Sequence, residues 1–132
     1  MRGLMNEPST KVLQGVRVLI VEDEHLVALA LTDDLEDAGA VVVGPAATVE
    51  AALGLIKEHP IDVAVLDIQL QSQFVFPVAE VLTGRGVPFL FTSGFDAAFL
   101  PPEYADFLKC EKPASPVTVT RMLAQLTRPA SP

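Results

Sequence analysis

A single cysteine, Cys110, stands among the 132 residues. No disulfide can close within the chain, and a thiol with no nucleophile context around it reads as packing. Half of the sequence is hydrophobic, yet no apolar run reaches the roughly 18 to 20 residues that a membrane span needs. Cations are scarce too: nine Lys and Arg against 17 Asp and Glu leave a formal charge of −8. That balance, with no basic patch, argues against sequence-independent nucleic-acid binding, whose affinity comes from neutralising phosphates. The opening Met1 to Pro8 lacks the apolar stretch of a secretory signal and carries an acid and a proline, so a cytoplasmic location is expected. No fixed-period repeat or low-complexity block occurs. The length suits one domain, and no second, DNA-binding or catalytic domain is expected.

What is present is an alternation. The first dozen residues are polar and aperiodic and the last six are proline-rich, which predicts a disordered tail over 1–14, a folded unit over 15–126 and a second tail over 127–132. Between them, Val18–Val21, Val41–Val43, Val63–Leu66, Phe89–Phe91 and Phe107–Leu108 are short apolar runs of the kind that forms strands buried on both faces. Helical periodicity fills the gaps. Val27, Leu31, Leu35 and Ala38 share a face, and Gly39 offers a left-handed stop. Thr48 is a candidate N-cap for a helix that Pro60 must end. Pro77 suits the first turn of a third helix, and Ser115-Pro116 opens a last one. Pro101-Pro102 interrupts the helix expected between the fourth and fifth strands, leaving one turn or an irregular loop. Five strands separated by helices give a doubly wound α/β domain with a parallel sheet covered on both faces. In such sheets ligands bind beyond the carboxyl ends of the strands.

Chemistry-bearing residues gather at those ends. Strand one runs into Glu22-Asp23-Glu24, strand three ends in Asp67, strand four closes with Thr92-Ser93-Gly94, and Lys112-Pro113 follows strand five. Carboxylates crowded at one sheet edge repel one another unless a hard divalent cation sits among them, and Mg²⁺ favours such oxygen ligands. Glu24 is explained equally by the positive end of a helix dipole, and His59 at a helix end by the negative one. His25 reads as an exposed first-turn residue, since a hard cation does not select imidazole. Phe74 and Phe76, in the loop after Asp67, are candidates for partial lids or partner contacts. Thr83-Gly84-Arg85-Gly86 does not precede a helix as a phosphate-cradling loop must, and reads as a turn.

The order of acidic pair, aspartate, hydroxyl and lysine resembles the receiver domain of bacterial response regulators, over Val16 to about Leu126. The family's acidic pair matches Glu22 and Asp23, its phosphoacceptor Asp67, its hydroxyl Ser93 and its lysine Lys112. The resemblance implies the sheet order 2-1-3-4-5, a cis bond between Lys112 and Pro113, and Mg²⁺ held by Glu22, Asp23, Asp67 and the backbone carbonyl of Gln69. Phe91-Thr92-Ser93-Gly94-Phe95-Asp96 is also similar to a group of alphaproteobacterial single-domain receivers whose motif reads Phe-Ala-Thr-Gly-hydrophobic-Tyr; Thr92, Ser93 and Asp96 depart from it. By this resemblance a sensor histidine kinase donates a phosphoryl group to Asp67, and Ser93 and Lys112 bind its oxygens. The protein is then a phosphoacceptor switch and not a turnover enzyme, a monomer or weak dimer that works through an effector protein or a histidine phosphotransfer protein.

Where the family carries a switch aromatic, three residues before the lysine, this chain has Lys109. An ammonium cannot be buried as a ring is, so Phe95 and the Pro101-Pro102 loop are expected to carry the change instead. Two other readings use the same residues. One is a receiver-like binding module that works without phosphorylation. The other is an aspartyl-phosphate hydrolase, which needs an acid two residues beyond the nucleophile; that position is Gln69.

Overall fold

The computed structural model describes residues 11–94 and 100–127; Phe95, Asp96 and most of both expected tails lie outside the described residues. The chain runs β1 (Arg17–Val21), α1 (His25–Asp37), β2 (Val41–Ala46), α2 (Val49–Glu58), β3 (Val63–Asp67), β4 (Gln69–Leu70), β5 (Gln73–Phe74), α3 (Phe76–Gly84), β6 (Phe89–Ser93), a 3₁₀ turn (Pro102–Tyr104), β7 (Lys109–Glu111) and α4 (Pro116–Thr127). Five strands form a parallel sheet in the order β2-β1-β3-β6-β7, while β4 and β5 make a separate antiparallel pair. Counting the main strands alone, the order is 2-1-3-4-5, as expected of a flavodoxin-like sheet.

Alternation along each strand distributes the core to both faces. Leu19, Val21, Ala64, Leu66, Phe89 and Phe91 pack with Ala52 and Ile56 of α2 and Val78 and Leu82 of α3. Val18, Ile20, Val63, Val65 and Leu90 pack with Leu31 and Leu35 of α1 and Val119 and Leu123 of α4. Full burial of each such Val, Leu or Phe contributes about 1.5–3 kcal/mol, so the three central strands anchor the sheet edge where the polar residues stand.

The helix boundaries follow their local chemistry. Helix α1 ends in a Schellman motif: Gly39 has φ +94°, its N–H donates to Glu36 O, and the Ala40 N–H donates to Leu35 O. Helix α2 starts where the Thr48 hydroxyl accepts from the Ala51 N–H at 3.1 Å. Pro116 is the first residue of α4, directly after Ser115. Of the expected interruption at Pro101-Pro102, only the single 3₁₀ turn is found among the described residues.

Two expectations need correction. The fifth strand is Lys109–Glu111 and not Phe107–Leu108. Phe107 closes a turn on Tyr104 and sets its ring 5.1 Å from that of Phe89, so its apolarity marks packing against the core rather than a place in the ladder. Leu13, placed by the sequence in a tail, is fully buried. Its N–H donates to Ala38 O, and the Gly15 N–H donates to Gly39 O, which joins residues 11–15 to the end of α1. At the other end Thr127, also expected in a tail, completes α4. The bond between Lys112 and Pro113 is cis as the resemblance implied, and Gly44-Pro45 is cis as well.

Gly39 is constrained twice, by its positive φ and by space. A Cβ there would lie 2.8 Å from Gln14 Oε1 and 2.9 Å from Gln14 Cα. Gly39→Ala should therefore lower the urea midpoint of unfolding with an unchanged slope. The left-handed backbone alone costs about 1–2 kcal/mol, and the contact with Gln14 adds to it.

Candidate functional site at the carboxyl edge of the sheet

Three strand ends and one following loop deliver the polar residues. The β1 ladder continues through the Glu22 N–H, which donates to Ala46 O at 2.9 Å, and Glu22 is buried at 4% exposure. Asp67 closes β3, in register with Thr92 of β6, and is 5% exposed. Beyond β7, the Lys112 N–H donates to Ser93 O at 2.7 Å, which brings the lysine back over the end of β6. One carboxylate oxygen each from Glu22, Asp23 and Asp67 lie within 4.8 Å of one another.

Lys112 is the cation of this cluster. Its Nζ lies 2.9 Å from Asp67 Oδ2, 3.1 Å from Glu22 Oε1 and 3.6 Å from Glu24 Oε1. Two backbone donors hold the acids of the first strand end. The Glu24 N–H donates to Glu22 Oε2 at 3.0 Å, and the Gln71 N–H donates to Asp23 Oδ2 at 2.8 Å. Ser93 is 2% exposed, and its hydroxyl has no hydrogen-bond partner among the described residues. A buried hydroxyl without a partner forgoes on the order of 1–3 kcal/mol, which suits a group kept for a ligand.

Burial and the nearby Asp67 charge push the Glu22 carboxyl up to about 7, against the lowering effects of the Glu24 amide and Lys112. Asp67 is also raised, first by burial, although Lys112 opposes the shift. For Lys112, burial works downward, but its bond and charge pairing with Asp67 and Glu22 outweigh it and hold the ammonium above its ordinary value. One ammonium thus does not neutralise the acids around it.

The structure places Glu22, Asp23, Asp67 and Lys112, the residues the sequence singled out at the strand ends, in one cluster. Gln69 lies two residues past Asp67 at the start of β4, with its residue exposed to solvent. His25 is exposed on the first turn of α1 and stands apart from the acid cluster. Glu24, read as a helix opener, also faces Lys112. Gln71 escaped notice because it acts through a backbone N–H, which no side-chain pattern reveals. Lys109, in place of an aromatic, is half-buried and donates from Nζ to Ala105 O at 3.0 Å. Aromatic rings gather next to it: Tyr104 stacks on Phe76 at 5.4 Å and meets Phe91 and Phe107 edge-on, while Phe76 also stacks on the exposed Phe74. Beside Glu22 and Lys112 opens a groove of about 460 Å³ between Leu26 and Ala30 of α1 and Pro113 and Pro116.

The sheet order, with a buried aspartate ending its central strand and a lysine reaching it from the last, defines an open α/β signalling domain of the flavodoxin-like class. A family model described as the response regulator receiver domain matches residues 18–95. The chain belongs to that family, and its setting is two-component signalling. Among solved structures it is similar to SdrG from Sphingomonas melonis Fr1, with 35% identity over 85% of this chain and 97% of that one, and a TM-score of 0.73. SdrG is also solved in a BeF3-activated conformation, at 36% identity over 85% of this chain and 96% of that one, and a TM-score of 0.71. The receiver domain of PhyR from Erythrobacter litoralis shares 27% identity over 90% of this chain and 95% of that one, with a TM-score of 0.77. The anti-anti-sigma factor PhyR from Bartonella quintana shares 27% over 90% of this chain, which spans 52% of that protein, with a TM-score of 0.75. A comparison with curated protein sequences finds no match. Among the described residues no helix is long and apolar enough to cross a membrane.

The raised Glu22 gives the cation-free chain a pH signature. A carboxyl lifted from 4.5 to about 7 on folding contributes stability that is full below 4.5 and lost as pH rises through 7. The raised Asp67 acts in the same direction. Without divalent cations, stability should therefore fall between pH 5 and pH 8, by at most about 3 kcal/mol from Glu22. Glu22→Gln should flatten that slope in urea denaturation run across the same range.

Proposed function

We propose that the protein is a single-domain response regulator that accepts a phosphoryl group on Asp67 from a phosphohistidine of a sensor kinase. The observation that carries this reading is the Lys112 ammonium 2.9 Å from a buried Asp67, flanked by the two acids of β1 and by the unpartnered Ser93 hydroxyl. The donor set fits Mg²⁺: three carboxylates converge, all oxygen ligands, with an incomplete balance of charge. Glu22, Asp23, Asp67 and the Gln69 carbonyl would hold the ion, which supplies charge neutralisation for the phosphoryl oxygens when bound.

The chain's own residues do the rest. An Asp67 carboxylate oxygen attacks phosphorus, the phosphorus–nitrogen bond breaks, and the donor imidazole leaves. Lys112 opposes the upward pull of burial on the Asp67 carboxyl and then pairs with a phosphoryl oxygen as a point charge. Ser93 donates its idle hydroxyl to another oxygen once the group is in place. The apolar groove beside Glu22 and Lys112, with Leu26 exposed at 79% on its rim, supports the approach of a protein phosphodonor to this edge.

With Lys109 at the switch-aromatic position and bonded to the carbonyl of Ala105, Tyr104 and its ring neighbours carry the change downstream of Ser93. The Pro101-Pro102 segment leading into the 3₁₀ turn moves with Tyr104 in this reading. PhyR of Bartonella quintana is named an anti-anti-sigma factor; by analogy the output here is docking on another cytoplasmic protein, with transfer to a histidine phosphotransfer protein as the other route.

Acetyl phosphate with Mg²⁺ should label the chain at one phosphoryl per molecule by mass spectrometry, and Asp67→Asn should abolish the label. A folded wild-type chain that never labels would identify a phosphorylation-independent binding module. Tyr104 is the lone tyrosine and the sequence has no tryptophan, so intrinsic emission reports on one ring. Beryllofluoride with Mg²⁺ should change that emission, and Ser93→Ala should suppress the change.

A further inference from the structure

We propose that Gln73 is a positioning residue for the cation-binding acids, acting through the β4–β5 hairpin to aim the Gln71 N–H at Asp23. The inference rests on the reading of Glu22, Asp23 and Asp67 as a divalent-cation site.

The hairpin has two residues in each arm, pairing Gln69 with Phe74 and Leu70 with Gln73 around a turn of Gln71 and Ser72. A two-stranded pair this short is not stable by itself. Its base is fixed by the core, since Ile68, Leu70 and Val75 are buried and the Val75 N–H donates to Ile68 O at 2.9 Å. The exposed tip needs another hold. Gln71 has φ +20°, the one positive value outside glycine among the described residues, and such a backbone persists only where its surroundings impose it.

Gln73 supplies that hold. Its Oε1 accepts from the Val49 N–H, the first amide of α2, at 2.9 Å. The bond ties the last strand of the hairpin to a rigid helix one residue beyond the turn. From there the Gln71 N–H donates to Asp23 Oδ2 at 2.8 Å, fixing the carboxylate of the acid that is least buried in the cluster. Helix α2 does not depend on Gln73 for its start, because Thr48 already caps it through Ala51. A first-turn amide left over is ordinarily satisfied by water, so the bond matters to the hairpin more than to the helix. Groups that orient metal ligands typically change affinity by about 10–100-fold when removed.

The test is Mg²⁺ titration of the full chain by calorimetry, with the Gln71 amide followed by NMR. Gln73 is exposed, so its replacement leaves the core intact. Gln73→Met should weaken Mg²⁺ binding on the order of tenfold and shift the Gln71 amide before any ion is added. Gln73→Glu, which keeps an acceptor oxygen, should bind at least as well as wild type. Thr48→Ala should lower thermal stability and leave Mg²⁺ affinity unchanged. Wild-type affinity in Gln73→Met overturns the inference, as does an equal loss in Thr48→Ala, which would assign the effect to α2. A wild-type chain that binds no Mg²⁺ overturns the underlying reading of the acids and the inference with it.

Discussion

Mutual repulsion of carboxylates held at the end of an apolar sheet is the constraint on which the rest of this structure turns. Two unit charges 4.8 Å apart, the spread of the oxygens of Glu22, Asp23 and Asp67, repel by about 3 kcal/mol at an effective dielectric of 20. A flexible chain would let them separate. Here Glu22 and Asp67 terminate neighbouring strands whose preceding four residues are buried without exception, so the sheet cannot yield without uncovering its core. Lys112 offsets part of the repulsion, and backbone amides of Glu24 and Gln71 offset more. What remains is an unbalanced negative pocket that favours a proton or a cation.

The polar neighbours fall into place around that constraint. Lys112 reaches the acids because its own amide is tied to Ser93 O, so one hydrogen bond fixes both the cation and the end of β6 that carries the hydroxyl. The aromatic cluster begins two residues before Ser93, at Phe91, and spreads through Tyr104 and Phe76 to the surface at Phe74. Lys109 takes no part in this cluster and bonds to Ala105 O, directly after the 3₁₀ turn.

Much of this was legible in the residues because it depends on side-chain type and strand period. Continuous apolar runs gave the central strands; Glu22 and Asp67 directly follow such runs, and Ser93 and Lys112 come two and four residues after the next ones, so all four could be picked out in order. The fifth strand was misread because Phe107 and Leu108 are more apolar than Lys109 and Glu111, although Phe107 packs from a turn and Leu108 is exposed. The β4–β5 hairpin was invisible for a different reason. Its turn is Gln-Ser, where the usual signal is Asn-Gly or Asp-Gly, and its link to the pocket is a main-chain amide. Leu13 was missed because one buried residue in a turn creates no periodicity.

The borders of the sheet carry a last consequence. Strand β2 holds Gly44 and Pro45 within its span, where the register against β1 shifts between Leu19 and Val21, and proline offers no N–H to a further strand. Strand β7, at the opposite border, is three residues long and begins and ends on charged side chains. Neither border is a template on which another chain could extend the sheet. Recognition by this molecule must therefore use its helices, its loops and the open mouth above Asp67, a division of labour that keeps a signalling surface available without inviting strand-by-strand aggregation.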